Sequence, residues 1–219
     1  MHAVECPRHL CAASTRCFEE LRDALLVRAG ALSGPVIVGI GGPGGCGKST
    51  LTRWLLHHLE GAGMLCLDDF RLPRALRPPD ARFGSHPDGN DLAGIRQVLE
   101  DFRAGVEICQ PVFDPVAGRV VRHLPLPPGR LLLTDGEVAA HGGIRELFDV
   151  FVLVDAHWRT QLNTRLTRDL RERHCSLEKA MDIFLQSNLR DYPKFSAGAA
   201  AAADFVLYRN VRHVFRRRK

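Results

Sequence analysis

Residues 39–50 read "GIGGPGGCGKST", preceded by "PVIV" (35–38) and followed by "LTRWLLHHLE" (51–60). The run from Gly42 to Ser49 fits G-x-x-x-x-G-K-[ST] at every fixed position. That pattern builds a phosphate cradle only when a strand enters it and a helix leaves it. Here an apolar β-branched run enters and an amphipathic stretch leaves. Gly42, Gly44, Gly45 and Gly47 let successive backbone N–H groups point into one concavity, and the following helix N-terminus adds partial positive charge. Cys46 and Thr50 complete the loop. Lys48 is positioned for the β- and γ-phosphates of a nucleotide, and Ser49 offers a hydroxyl to Mg²⁺.

Working outward, apolar runs alternate with helical patterns. Strands are expected at 35–40, 64–70, 130–139, 150–156 and 203–208. Helices are expected at 14–31 (capped by Ser14 or Thr15), 49–60, 92–105, about 144–149, 159–174 and 177–195. Residues 71–91 read as loop, and 109–129 as irregular with a hairpin around Gly118. Continuous apolar strands alternating with helices predict an α/β fold: a doubly wound, mostly parallel sheet with helices on both faces. Such sheets bind ligands at the carboxyl ends of their strands. The boundaries read as an N-terminal helical extension (1–34), one domain (35–210, with a lid at about 159–176) and a basic C-terminal tail (211–219).

The bulk numbers agree with this. The 219 residues suit one domain, and 45% are hydrophobic, enough for a core. No apolar run approaches the roughly 18 residues of a membrane span, and "MHAVECPRHLCAAS" lacks the apolar segment of a secretory signal. A cytoplasmic setting with no membrane partner is expected. The seven cysteines include no CxxC pair, which points to reduced thiols rather than a zinc site or a disulfide framework. Cys46, beside Lys48 and a helix N-terminus, is expected to have a lowered pKa and to be oxidation-sensitive. Of the net charge of +5, four charges sit in the terminal "RRRK", which reads as a solvated, disordered end. No basic face besides the tail and the 159–174 helix is visible, so nucleic acid is not expected as a partner.

Three further constellations carry chemistry. Asp68 and Asp69 end the second expected strand, where side chains alternate. One of them can face the phosphate site and orient or deprotonate an attacking hydroxyl. Asp135 follows "LLLT" as a Walker B acid does and is a candidate Mg²⁺ ligand, with Glu137 a second candidate. Arg165, Arg168, Arg171 and Arg173 lie along one helix or at its end, where arginines can clamp a transferring phosphoryl group.

Taken in order, these pieces resemble the phosphoribulokinase/uridine kinase family of P-loop kinases over about residues 35–208. The matching pieces are the loop "GGPGGCGKST", "LDDF" (67–70), "HPDGND" (86–91), "PVFD" (111–114), Asp135-Gly136, the R-D-x-x-E-R pattern from Arg168 to Arg173, and "YPKF…AADFVL". The resemblance implies ATP, Mg²⁺ and transfer of the γ-phosphoryl group to a small-molecule alcohol. It implies Asp68 as catalytic base, Lys48 and Ser49 serving ATP and Mg²⁺, and Asp135 assisting. Arg168 and Arg173 would be lid residues near the phosphates. Asp69, His86, Asp88, Phe113 and Arg165 would serve the acceptor. Many relatives self-associate, so a homo-oligomer is compatible with it.

Asp135 stands where the family usually has Glu, and the other departures are concentrated on the acceptor side. Ser85 stands where the family's uridine kinases have an Asp that grips ribose, and Phe113 where they have a Tyr. Their base-contacting His falls near Gly118, and their Arg and Gln after the lid fall near Cys175 and Ile183. A site built to hydrogen-bond a hydroxyl or a base discriminates through those groups, so the resemblance carries the phosphoryl transfer and not uridine. Two other readings remain open: an ATPase with no acceptor, and a nucleotide-binding regulatory protein.

Overall fold

The computed structural model describes Pro7 and residues 10–219. The rest of the N-terminal segment, Cys6 included, lies outside the described residues. The elements in order are α1 (Ala12–Gly30), β1 (Val36–Gly41), α2 (Lys48–His58), β2 (Ala62–Cys66), α3 (Leu92–Arg103), β3 (Ile108–Asp114), β4 (Arg119–Leu126), β5 (Leu131–Gly136), α4 (Gly142–Arg145), β6 (Val150–Ala156), α5 (Trp158–Arg171), α6 (Leu177–Ile183), α7 (Tyr192–Phe195), α8 (Ala199–Ala202), β7 (Phe205–Arg209) and β8 (Phe215–Arg217). A six-stranded sheet runs β2-β5-β1-β6-β7-β8, and β3-β4 form a separate hairpin. Every pairing in the main sheet is parallel except β7 with β8.

Strand alternation distributes the core to both faces. Val36, Val38 and Ile40 of β1 pack with Leu131 and Leu133 of β5 and Val152 and Val154 of β6 against α1 and α2. Ile37 and Leu132 point the other way, toward Ile95, Leu99 and Phe102 of α3. The spacing of those three along α3 gives it one apolar stripe. Asp91 caps this helix by accepting the Gly94 N–H at 2.8 Å.

Several elements differ from the sequence expectation. The second strand stops at Cys66, and Leu67–Phe70 form a 3₁₀ turn that carries Asp68 and Asp69. The stretch 177–195 is not one α-helix. Phe184–Asp191 is wound as a π-helix between α6 and α7. Neither Ser14 nor Thr15 caps α1: the N-cap is Cys11, without a side-chain cap. Ser14 lies one turn inside, buried, and accepts the Phe215 N–H at 3.0 Å.

That last bond belongs to the largest correction. The C-terminal segment is not a disordered end, although residues 216–219 stay exposed to solvent as expected. Its Phe215 is 1% exposed, lies 4.8 Å from the ring of Phe18, and begins a strand on the sheet edge. One aromatic residue, between Val214 and the basic Arg216, supplies the apolar burial that holds the segment on the sheet edge. The arginines then flank the sheet, with the Arg217 and Arg218 guanidinium groups over the rings of Phe205 and Tyr208. The hairpin expected around Gly118 is β3-β4, with Gly118 at φ +70 in its turn.

Candidate active site

The loop between β1 and α2 opens into a cleft of about 550 Å³. Its floor is Gly44, Gly45, Gly47, Lys48, Ser49 and Thr50. Gly47 is the N-cap of α2 at φ +108, and a Cβ there would lie 2.6 Å from the Phe215 ring. Conformation and packing both require glycine at this point. Lys48 is 7% exposed, and its Nζ donates to the carbonyls of Gly42 (2.8 Å) and Pro43 (3.1 Å). The ammonium is thus held by the loop's own backbone. Gly42 does not line the cleft. It carries one of these carbonyls, and a Cβ on it would strike Val154 O.

Cys46 corrects an expectation. It is fully buried in the core under the loop, and burial pushes its thiol pKa up, with Lys48 opposing. Low dielectric outweighs the helix terminus, so Cys46 is a packing residue rather than a reactive thiol.

Three acids converge on the cleft, from the turn after β2 and from the end of β5: Asp68, Asp135 and Glu137. Asp135 is 3% exposed, and its Oδ2 has no hydrogen-bond partner among the described residues. Burial pushes its carboxyl pKa up, helped by Asp68 and opposed by Lys48, Ser49 and Thr52. An orphaned buried carboxylate oxygen beside the loop serine and lysine fits Mg²⁺. That ion keeps several waters and needs only one or two carboxylates besides phosphate. A closed protein cage is not required, and among the described residues no cluster of three His, Cys, Asp or Glu side chains offers one.

Asp68 accepts the Glu137 N–H through Oδ1 at 3.3 Å, and its Oδ2 lies 3.4 Å from Arg71 Nη2. Asp69 turns away from the cleft and accepts the Phe113 N–H at 3.1 Å. Burial raises its pKa from 3.8 to about 6, with that N–H opposing.

Glu137 is the hub of the site. It is 2% exposed and meets Arg165, 3% exposed, at 3.1 Å. It also accepts from the hydroxyls of Ser85 and Ser187. Burial alone would push its carboxyl up. Arg165, then Lys48 and Arg71, with the Ser85 hydroxyl, hold it well below the usual carboxylate range. Arg165 also faces Asp169 at 3.7 Å and hydrogen-bonds Asn188, which donates to Gly44 O at 2.7 Å. A Cβ on Gly44 would sit 1.8 Å from Arg165 Nη1. The phosphate loop is therefore braced from behind by α5 and the π-helical turn.

Arg168 lines the cleft. Arg165, Arg173 and Phe113 line an adjoining recess of about 240 Å³. Arg173 is held by Asp169 at 3.0 Å. His86 and Asp88 line neither space. His86 packs edge-on to Phe195 with ring centroids 4.6 Å apart and accepts the Asp88 N–H at 3.3 Å. Its place is a loop-fixing one.

Sequence reasoning missed Ser85, Ser187 and Asn188 as partners of the buried pair; none carries a motif. It also missed Arg209 and His213, which line the cleft from the end of β7 and from the turn between β7 and β8. Asn210 Oδ1 fixes that turn by accepting from Arg212 N (2.9 Å) and Val214 N (3.1 Å). Asx-type turns of this kind were the available signal.

A parallel sheet whose first strand enters a glycine loop, with a helix leaving it and acids at the next strand ends, defines a P-loop nucleotide-binding fold. The chain belongs to the phosphoribulokinase/uridine kinase family, whose profile it matches over residues 37–214. It is 26% identical to the uridine kinase of Staphylococcus carnosus over 183 residues, covering 80% of this chain and 88% of that one. It is 27% identical to inorganic pyrophosphatase TTM2 of Arabidopsis thaliana over 166 residues, 75% of this chain but only 24% of that protein. It superposes on the D-glycerate 3-kinase of Cryptococcus neoformans with a TM-score of 0.70 at 14% identity, covering 90% of this chain and 96% of that one. That is a likeness of fold. Among the described residues no helix is long and apolar enough to cross a membrane.

Proposed function

We propose that this protein is an ATP-dependent kinase that transfers the γ-phosphoryl group to the hydroxyl of a small-molecule alcohol. The observation that carries this reading is the place of Asp68. Its carboxylate lines the phosphate-loop cleft and pairs with Arg71, which lines the recess next door. One acid thus stands between a site for the donor and a site for the acceptor.

The loop N–H groups and the α2 terminus hold the β- and γ-phosphates. Lys48 exchanges its two backbone carbonyls for phosphate oxygens. Ser49 and Asp135 are the residues that would hold Mg²⁺, which neutralises phosphate charge when bound. Asp68 accepts the proton of the attacking hydroxyl as the new O–P bond forms and ADP departs. Arg168 in the cleft and Arg173 beside it stabilise the charge spread over the transferring group. Glu137 and Arg165 keep the loop and α5 in register and do not touch the reacting atoms. Excluding water while the acceptor is in place keeps the γ-phosphoryl from hydrolysis.

The test is coupled ADP release with Mg·ATP across nucleosides, sugars, sugar phosphates and hydroxy acids. Release that depends on an acceptor, with the phosphorylated product identified, is the expected result. Release indifferent to every acceptor would replace the kinase by an ATPase. Tight ATP binding without release would replace it by a nucleotide-binding regulator.

A further inference from the structure

The recess beside Asp68 has an unusual wall. Seven of its fourteen lining residues are Arg or Lys, and none is Asp or Glu. They come from three places distant in sequence: the loop after β2, the α5 region and α6. Three of the seven have acidic partners. Arg71 pairs with Asp68, Arg165 with Glu137 and Asp169, and Arg173 with Asp169. The other four, Arg74, Arg77, Arg82 and Lys179, make no ion pair among the described residues.

Backbone groups hold two of the four in place. Arg74 Nη2 donates to Pro115 O at 2.7 Å. Arg77 donates to Leu72 O (2.8 Å) and Arg82 O (3.1 Å) and lies over the Phe113 ring at 5.2 Å. Its Nη2 is buried and has no partner among the described residues. Burial, and then the like charges of Arg71 and Arg74, pull the Arg77 pKa down to about 10. The same four basic residues line an outer lobe with Phe83 and Asp182, and Asp182 there accepts from Gln186 at 2.7 Å. Arg77 is half-buried, while Arg74, Arg82 and Lys179 reach solvent; like charges gathered around one recess repel one another. Guanidinium forks left with free donors match carboxylate and phosphate geometry.

We propose that this recess binds the phosphate or carboxylate group of an anionic acceptor, so that the molecule phosphorylated is a small alcohol that already carries a negative charge. The assignment rests on the kinase reading for the word acceptor, but the anion site itself does not. The wall explains the departures on this side of the site. Ser85, where the resemblance leads one to expect an acid, hydrogen-bonds Glu137 and Ser187 and presents no carboxylate. Phe113, without a hydroxyl, backs the guanidinium of Arg77. A neutral nucleoside would leave the four cations with no counter-charge inside the recess, the nearest lining acid being Asp182 of the outer lobe. The volume of about 240 Å³ suits a charged group on a short carbon chain, below the ~300–1,000 Å³ usual for drug-sized ligands.

Matched pairs that differ by one anionic group test the inference: D-ribose 5-phosphate against D-ribose, and D-glycerate against glycerol. The protein is first saturated with Mg·AMP-PNP, so that the phosphate loop is filled, and each compound is titrated calorimetrically at 50 and 300 mM NaCl. At least one charged member is expected to bind ~10-fold or more tighter than its neutral partner, as for one charge-assisted hydrogen bond. The gap should shrink at the higher salt. The phosphate pair and the carboxylate pair tell the two anions apart. Arg82→Ala with Lys179→Ala should weaken that binding ~10-fold or more while leaving the affinity for AMP-PNP unchanged. Equal binding of both members in both pairs, or a double variant that binds the charged compound as the parent does, would overturn the anion site. Binding without phosphorylation of any charged alcohol in the ADP-release assay would leave the anion site standing and remove its role as an acceptor site.

Discussion

Replacing Glu137 by Gln keeps the shape of the side chain and an oxygen for Ser85 and Ser187, but removes the charge that faces Arg165. Both side chains are almost completely buried, at 2% and 3% exposure, and 3.1 Å apart. Leaving one member of a buried pair uncompensated costs about 3–5 kcal/mol. Asp169 remains 3.7 Å from Arg165 Nε, but it is already shared with Arg168 and Arg173. It offsets part of the loss, and about 2–4 kcal/mol is expected. For a chain of this length that corresponds to roughly 5–15 °C in Tm. Urea unfolding of Glu137→Gln, Arg165→Met and the double variant measures it, and the cycle should give a coupling of at least about 1.5 kcal/mol. The carboxyl of Glu137 is held below its ordinary value of 4.5, so its contribution is present above that pH and is lost as pH falls below it. The gap between parent and Glu137→Gln should narrow accordingly. A loss under about 1 kcal/mol, or additivity of the two single variants within about 0.5 kcal/mol, would refute the brace behind the phosphate loop.

Asp68→Asn should lower kcat by ~10²–10⁴-fold, the usual worth of a general base, with Mg·ATP affinity unchanged by calorimetry; normal turnover would remove Asp68 from the mechanism. Phe215→Ala should cost about 3–5 kcal/mol, as for other fully buried aromatics, and loosen the phosphate loop through Gly47; an unfolding midpoint equal to the parent's would mean that the C-terminal strand is dispensable. Asp69→Asn should raise Tm at pH 8 and have no such effect near pH 4. The folded state raises the Asp69 pKa to about 6, so stability is lost as pH rises from about 4 to 6, and the amide avoids that loss. A gain of equal size at both pH values would show that the charge is not its source.

The sequence by itself determined the phosphate loop, the alternation of strands and helices, and the positions of Lys48, Ser49 and Asp135, whereas the turn after β2 decided that Asp68 and not Asp69 lines the cleft. The features read from the sequence are local. Glycines, a lysine and a hydroxyl at fixed spacing fold into a cradle wherever a strand precedes and a helix follows. The period of apolar residues separates strand from helix without knowledge of neighbours. Residue type alone could not place Cys46, since a thiol at a helix N-terminus is reactive only when it faces solvent. It could not place the C-terminal segment either, where one buried phenylalanine outweighs the charges around it.

Only the tertiary structure decided which charges meet. Arg165 reads as one of a run of helix arginines, yet it alone is buried against Glu137, while Arg168 faces the cleft and Arg173 the recess. Arg74, Arg77 and Arg82 read as loop residues, and Lys179 as one helix cation. They become one surface because the turn after β2 folds back beside α5 and α6. Burial and charge pairing depend on long-range neighbours, and the same residues in a different packing would be solvated side chains of no consequence.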